Sequence, residues 1–452
     1  MNAEAGGYKL IVGLGETGLS CARYLAGKGE FFKVVDSRPN PPALATFQKL
    51  FPGIECELGE FKVQTFLEAE QLIVSPGVSL KTPAIMAAIE SGVAITGDID
   101  IFSQEVQAPI VAVTGSNGKS TVVEILAAIL RAAGKNCALG GNLDGANFKP
   151  ALDLLAEEKA DVYVLEVSSF QLETTQLLGA KVATILNLSE DHLDRYDSFD
   201  DYRVAKQRIF NGCQNVVINR DDSGSLPPET ISVPAIDFGF SRPGVNGLGL
   251  LEEEDDQYLA FQFEKIVSVN ELKIFGQHNI ANTLAAIGLA LTLGVDLQPI
   301  RRAVKNFSGL PHRCQWVSSI EGVDFYNDSK GTNVGATKAA VEGLGQRIDG
   351  HILLIAGGVS KGADFRSLVP VINRWAKEVI LIGRDAMELA AHLDADIQTY
   401  FADGMQDAVT VALDHASAGD AVLLSPACAS FDMFENYQHR GREFVQSVER
   451  LQ

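Results

Sequence analysis

The chain alternates short, densely apolar runs with longer stretches in which apolar positions recur every three or four residues, and it keeps that rhythm from end to end. Short apolar runs bounded by glycine, proline or acidic residues predict strands, and the longer period predicts helices between them. This is βαβ grammar, which makes the protein α/β throughout. In the first block, strands are expected at 8–12, 32–35 and 72–74, with a glycine loop at 13–18 and a helix over 19–28. The second block opens with a strand at 110–113, a loop at 114–119 and a helix from 120. It continues with strands at 162–166 and 183–187 and ends in helices at 279–293 and 299–306. The third block carries strands at 352–356, 378–382 and 421–424. Segment 97–109 reads as a linker between the first two blocks, and the acidic run 252–256 as a solvated loop or hairpin tip. The expected organisation is three serial α/β domains, at 1–97, 98–308 and 309–452.

Bulk properties narrow the class. A chain of 452 residues fits two to four domains, and 46% hydrophobic content supplies several cores. No apolar run reaches the roughly 18–20 residues of a membrane span. The start, MNAEAGGYKL, lacks the basic and apolar regions of a secretory signal, so a cytoplasmic protein is expected. Its six cysteines are scattered with no CxxC spacing, as reduced thiols would be. A net charge of −21 argues against a nucleic-acid surface, which needs a basic face.

The strongest chemical signal is Thr114-Gly-Ser-Asn-Gly-Lys-Ser-Thr121. Small residues let a backbone curl so that its N–H groups face phosphate oxygens, and the following helix N-terminus favours the anion. Lys119 supplies charge to the β- and γ-phosphates, and Ser120 a hydroxyl for Mg²⁺. Val113 stands where the usual pattern has glycine, so the loop is a compact variant beginning at Gly115. Glu166 ends the apolar run DVYVLE, where a carboxylate is either a metal ligand beside the phosphate loop or a solvated strand end. His192, in NLSEDHLDRY, is a candidate ligand or catalytic group, whereas the surrounding Asp and Ser could simply cap. A helix capped by Ser198 should run to Phe210 with the stripe Phe199, Tyr202, 206, Ile209. Lys206 interrupts that stripe, so it either snorkels or is buried for a function. As an ammonium it cannot ligate a metal, whereas its carbamate could.

Gly13-x-Gly15-x-x-Gly18 with Asp36 at the next strand end fits a dinucleotide-type fingerprint, which indicates a phosphate-bearing nucleoside without naming it. The polar loops GLPHR and NDSKGTN are either site loops or plain surface loops, and GGVSKGADF follows an apolar strand that puts Lys361 at a sheet's carboxyl edge. Cys428, in SPACASFD, is a candidate nucleophile or a small buried residue, and no partner histidine is evident.

Together, GLGETGLS, the SPG turn, TGSNGKST, EVSSFQL, NLSEDHLDRY with AKQRIF, GQHNIAN, GLPHR, NDSKGTN, GGVSKGADF and SPACASFDMF resemble the Mur ligase family over essentially the whole chain. The last segment and GGVSKGADF resemble its D-glutamate-adding branch, and the DNPR signature of the diaminopimelate- or lysine-adding branch is absent. The resemblance implies a Rossmann-like N-terminal domain that binds UDP, a P-loop central ATPase domain and a Rossmann-like C-terminal domain that takes the amino acid. It implies an ADP-forming ligase joining D-glutamate to UDP-N-acetylmuramoyl-L-alanine through an acyl phosphate and a tetrahedral intermediate, in peptidoglycan precursor synthesis. A monomer is expected.

By the same resemblance, Glu16, Thr17, Asp36, Ser37, Arg38, Ser75, Pro76 and Gly77 contact the UDP moiety, and Asn142 and His192 lie near the muramoyl-alanyl portion. ATP falls to Gly115, Asn117, Gly118, Lys119, Ser120, Thr121, Asn282, Arg313 and Asp328. Ser120 and Glu166 match one Mg²⁺ site, His192 and a carbamylated Lys206 a second, and Lys119, Glu166, His192 and Lys206 form the catalytic set. Lys361, Ser430 and Phe431 match the D-glutamate pocket, with Tyr437 where phenylalanine is expected. Two other activities share some of these loops: another superfamily amide ligase such as folylpolyglutamate synthase, which lacks a UDP domain, and a non-catalytic nucleotide-dependent switch or scaffold.

Overall fold

The computed structural model describes residues 7–142, 149–189, 195–254, 256–360 and 362–451. It is α/β with three sheets. The first is wholly parallel, in the order Cys56–Leu58, Phe32–Asp36, Tyr8–Val12, Ala69–Val74, Ala94–Thr96. Strand order reverses on either side of Tyr8–Val12, and in such sheets ligands bind beyond the carboxyl ends at that switch point.

The second sheet has nine strands. Ile110–Thr114, buried along its whole length, lies between Val162–Glu166 and Val182–Ile185. Burial on both faces explains why these strands are continuous Val/Ile/Leu runs rather than alternating ones. Cys137–Gly141 forms one edge, and Val216–Asn219, Ala235–Phe238 and Gly247–Glu253 extend the other in parallel. Gly247–Glu253 then pairs antiparallel with Asp256–Phe261, so Glu252, Glu253 and Asp256 of the acidic run belong to a hairpin. The third sheet runs Gln315–Ile320, Val323–Asn327, Ala421–Leu424, Ile352–Gly357, Ala376–Ile382, Gln398–Phe401; only its first pair is antiparallel.

The chain forms two compact units, Met1–Ile266 with Asn282–Ala303, and Val267–Ala281 with Val304–Gln452. Within the first unit one hydrophobic cluster runs continuously from Ile11, Leu19 and Phe47 to Ala112 and Leu165. The expected linker at 97–109 is instead part of that core. Asp98–Glu105 is a helix whose Ile99 and Phe102 are fully buried, and Phe102 meets Tyr163 edge-to-face with ring centroids 5.2 Å apart. Asp98 and Asp100 lie in its first turn, where acidic side chains favour the helix N-terminus. The first helix spans Glu16–Lys28, three residues earlier than its apolar period indicates, because Glu16 and Thr17 occupy its first turn. Among the described residues, no helix is long and apolar enough to cross a membrane.

Candidate functional site

In the first unit, the loop after Ile110–Thr114 is shaped by two glycines and two asparagines. Gly115 (φ +153°) and Gly118 (φ +86°) hold backbone conformations that disfavour a side chain. A Cβ on Gly118 would lie 2.2 Å from Asn282 Oδ1, so Asn282 closes one wall of the loop. Asn187 takes the Asn117 N–H on its Oδ1 at 2.9 Å, donates to the Asn117 carbonyl at 3.0 Å and accepts from the Ser116 N–H on its own carbonyl. Helix Lys119–Ala132 begins directly behind, and the Lys119 ammonium curls back to the carbonyls of Gly115 and Ser116, 3.1 Å from each.

Ser120 Oγ donates to Glu166 Oε2 at 2.7 Å, and Asn142 Nδ2 to Glu166 Oε1 at 3.2 Å. Glu166 is buried at the end of its strand and therefore is not a solvated terminus. A hydroxyl and a carboxylate side by side at the head of a phosphate-type loop are the hard oxygen donors that suit Mg²⁺. Lys206 does not snorkel: it is 2% exposed. Its ammonium donates to Thr114 Oγ1 and the Gly115 carbonyl, both at 3.1 Å, and stands 5.0 Å from the Tyr202 ring centroid. Helix Phe199–Gln207 and the 3-10 turn Arg208–Phe210 carry it there, with Ser198 accepting the Asp201 N–H as N-cap.

Beside this cluster, a cavity of about 470 Å³ is lined by Glu16, Thr17, Asp36, Ser37, Arg38, Ser75, Pro76, Gly77 and Asn142. Every residue expected to meet the UDP-linked substrate lines it, apart from His192, which lies outside the described residues. Gly13, Gly15, Val78, Gly141 and Gln171 complete the wall. The cavity sits at the switch point of the first sheet. A Cβ on Gly18 would meet the Gly13 carbonyl oxygen at 2.0 Å, so this third glycine serves helix–strand packing. Asp36 accepts from the Leu14 N–H at 2.7 Å and from the Arg38 backbone and guanidinium. Burial pushes its carboxyl up, but the Arg38 and Leu14 hydrogen bonds outweigh that and hold it below the usual value. Its carboxylate thus anchors Arg38 at the cavity.

In the second unit, Asp328 is buried, accepting from Ser425 Oγ at 2.7 Å and the Cys314 N–H at 3.1 Å. Burial raises its carboxyl to about 6 against those bonds. Arg313 forms a backbone bridge with Leu310 at the start of this region. Lys330 lies over the Tyr437 ring, 4.2 Å from its centroid. Ser430 is buried and Phe431 is 69% exposed. Lys361 lies outside the described residues. Burial pushes the Cys428 thiol up to about 12, so it is the small buried residue and not an activated nucleophile. Arg440, the largest fully buried side chain, went unnoticed in the sequence; it donates to Ser329 Oγ, the Ser329 carbonyl and the Cys428 carbonyl. Arg195 and Gln171 were also missed as individual residues, although both stand inside segments singled out for other members. An ordinary helical arginine pattern gives no sign that a guanidinium is buried.

Family models match the chain in three stretches: the Mur ligase MurD-like N-terminal domain over residues 8–97, the Mur ligase middle domain over 113–290, and the Mur ligase glutamate ligase domain over 312–428. The UDP-N-acetylmuramoylalanine–D-glutamate ligase of Pseudomonas aeruginosa is 50% identical over 444 residues, 98% of each chain. The enzyme of the same name from Marinobacter nauticus is 46% identical over 442 residues, again 98% of each. Among solved structures, UDP-N-acetylmuramate-alanine ligase from Thermotoga maritima superposes with a TM-score of 0.60 at 19% identity, covering 99% of this chain and 100% of that one. MurF from Acinetobacter baumannii gives 0.59 at 16%, covering 98% and 90%. At these identities the two structures speak to the fold alone.

Proposed function

The chain belongs to the Mur ligase family, and we propose on that premise how its residues divide the work. It is an ATP-dependent, ADP-forming ligase that adds D-glutamate to UDP-N-acetylmuramoyl-L-alanine in peptidoglycan precursor synthesis. The observation that carries this is 50% identity spread over 98% of both chains with a relative whose name states that reaction. A folylpolyglutamate-type ligase or a non-catalytic switch is not favoured, because all three Mur models match in series along the chain.

The substrate carboxylate must first be made a competent acyl donor, because oxide is a poor leaving group. Phosphoryl transfer from ATP converts it to an acyl phosphate, the D-glutamate amine attacks, and phosphate leaves from a tetrahedral intermediate. The cavity lined by Glu16, Arg38 and the Ser75–Gly77 turn takes the UDP end, with Asn142 towards the muramoyl-alanyl end. The loop Gly115–Thr121 with Asn282 takes the ATP phosphates, and Lys119 swings from its loop carbonyls to the phosphoryl oxygens. Arg313 and Asp328 serve the rest of the nucleotide; Lys361, Ser430, Phe431 and Tyr437 receive D-glutamate. Ser120 and Glu166 would hold one Mg²⁺, and His192 with a carbamylated Lys206 a second. Bound there, the metals would neutralise charge gathering on the transferred phosphoryl group. The half-buried Ser120 hydroxyl held by the buried Glu166 supports the first site. For the second, Lys206 is buried beside the loop, and carbamylation would turn its cationic end into an oxygen ligand. The working compartment is the cytoplasm and the working form a monomer.

The deciding experiment is phosphate release from ATP and Mg²⁺ with UDP-N-acetylmuramoyl-L-alanine across amino acids of both hands. Release that requires the acceptor and appears only with D-glutamate is expected. Preference for another amino acid would move the chain to a different branch, and no acceptor-dependent release from folded protein would overturn the assignment.

A further inference from the structure

Arg195 follows the strand-end segment that leads into the Lys206 helix, yet its guanidinium is spent on two other parts of the first unit. Nη1 donates to the Pro76 carbonyl at 2.9 Å and Nη2 to the Val78 carbonyl at 3.2 Å. Nε and Nη2 also hold the Glu173 carboxylate, at 3.2 and 2.6 Å. The Phe170 ring lies beneath it, 4.2 Å from centroid to guanidinium carbon. Arginine and glutamate are 13% and 15% exposed at their side chains, so this is a largely desolvated pair.

The partners give the contact its meaning. Pro76 and Val78 belong to the turn that lines the nucleotide-substrate cavity. That turn is already fixed to its own sheet, by Ser75 N–H to the Val12 carbonyl and Ser75 Oγ to the Gly13 carbonyl. It therefore does not need Arg195 to keep its shape. Glu173 and Phe170 sit on Ser169–Glu173, the short helix that follows Glu166. A guanidinium is a rigid planar fork, able to satisfy two carbonyls and a carboxylate at once; an ammonium has no such geometry. We infer that Arg195 is a positioning residue that registers the substrate-binding turn against the Glu166 and Lys206 cluster, so that a substrate anchored by its UDP end presents its carboxylate to the phosphoryl donor. The inference rests on the ligase reading given above. The neighbouring Lys81–Asp197 pair spans the same two segments, but both its side chains are well exposed, so it contributes little.

The test uses the full chain and the variants Arg195→Ala and Arg195→Lys. UDP affinity by calorimetry, melting temperature, and kcat and KM for acceptor-dependent phosphate release are measured on each. Since the turn holds its own shape, UDP affinity should survive in Arg195→Ala. Loss of register of about 1 Å should lower kcat on the order of 10- to 100-fold. Arg195→Lys, which keeps the charge but not the fork, should recover part of that loss. Wild-type kcat in Arg195→Ala, or UDP affinity that falls in parallel with kcat, would overturn the inference. If the alanine variant is unfolded by its melting curve, the lysine variant decides: reduced kcat with intact UDP binding supports the role, and wild-type kcat refutes it. An inactive wild type would instead count against the ligase assignment.

Discussion

Lys206 keeps its ammonium out of water by donating to a hydroxyl and a carbonyl of the strand and loop that begin the phosphate site. A buried cation is expensive unless it is fully engaged, so its retention at this point marks a role beyond packing. Lys206→Met, close in volume, should therefore fold yet lose kcat by on the order of 10²- to 10³-fold, as removal of one charge-stabilising group does. If the working form is the carbamate, depleting dissolved CO₂ should lower the wild-type rate reversibly and leave the variant unchanged; a rate indifferent to CO₂ would sink the second metal site as drawn. Asp98 is a different kind of buried group. Burial lifts its carboxyl to about 6, against the hydrogen bond from Gln171 Nε2 at 3.2 Å. Its unfolded value is near 3.9, so between about pH 4 and pH 6 the folded chain holds a proton that the unfolded chain has released. That contribution to stability is greatest below the unfolded value and falls as pH rises through the folded one. Asp98→Asn should flatten the slope across this window, with about 3 kcal/mol as the upper bound for a shift of this size. Denaturant midpoints of both proteins from pH 4 to 7.5 check it, and identical slopes would assign the titration elsewhere.

At the scale of elements, the phosphate loop and the helix behind it act together. Gly118→Ala places an L-residue at φ +86° and a methyl group 2.2 Å from Asn282 Oδ1, so loop and wall must move apart. The backbone alone costs roughly 1–2 kcal/mol. Melting temperature should fall and KM for ATP should rise, with KM for D-glutamate little changed; an unaltered KM for ATP would mean the loop does not hold the nucleotide there. This loop was legible in the sequence because its chemistry is local: glycines, a lysine and a serine at fixed spacing between a strand and a helix. The Ser198-capped helix was legible too, since Lys206 breaks an otherwise apolar stripe. Asp98–Glu105 was not. Gly97 before it and Pro109 after it are linker signals, and only the burial of Ile99 and Phe102 in the shared hydrophobic cluster shows what the apolar positions are for. Arg195 was unreadable for a similar reason, because its partners stand 22 and about 120 positions away in the chain.

For the whole molecule, three rounds of strand and helix correctly indicated three sheets. The continuous core that joins the first two in one unit depends on contacts that no periodicity reports. What the sequence does report at this scale is charge. The chain carries −21, while both nucleotide substrates are polyanions. Arg38 and Lys119 are cations placed where those anions are proposed to bind. The remaining charge acts further out, where it repels an approaching nucleotide. Salt shortens that reach, from a Debye length of roughly 30 Å at 0.01 M to about 8 Å at 0.15 M, while pairs in contact are screened much less. Raising sodium chloride over that range at fixed free Mg²⁺ should therefore increase kcat/KM for the UDP-linked substrate. The sign is the informative part, because electrostatic steering by a dominant cationic face would make the same measurement fall. A steep fall would show that the local cations already govern approach, and that the acidic surface lies too far from the cavity to be felt there.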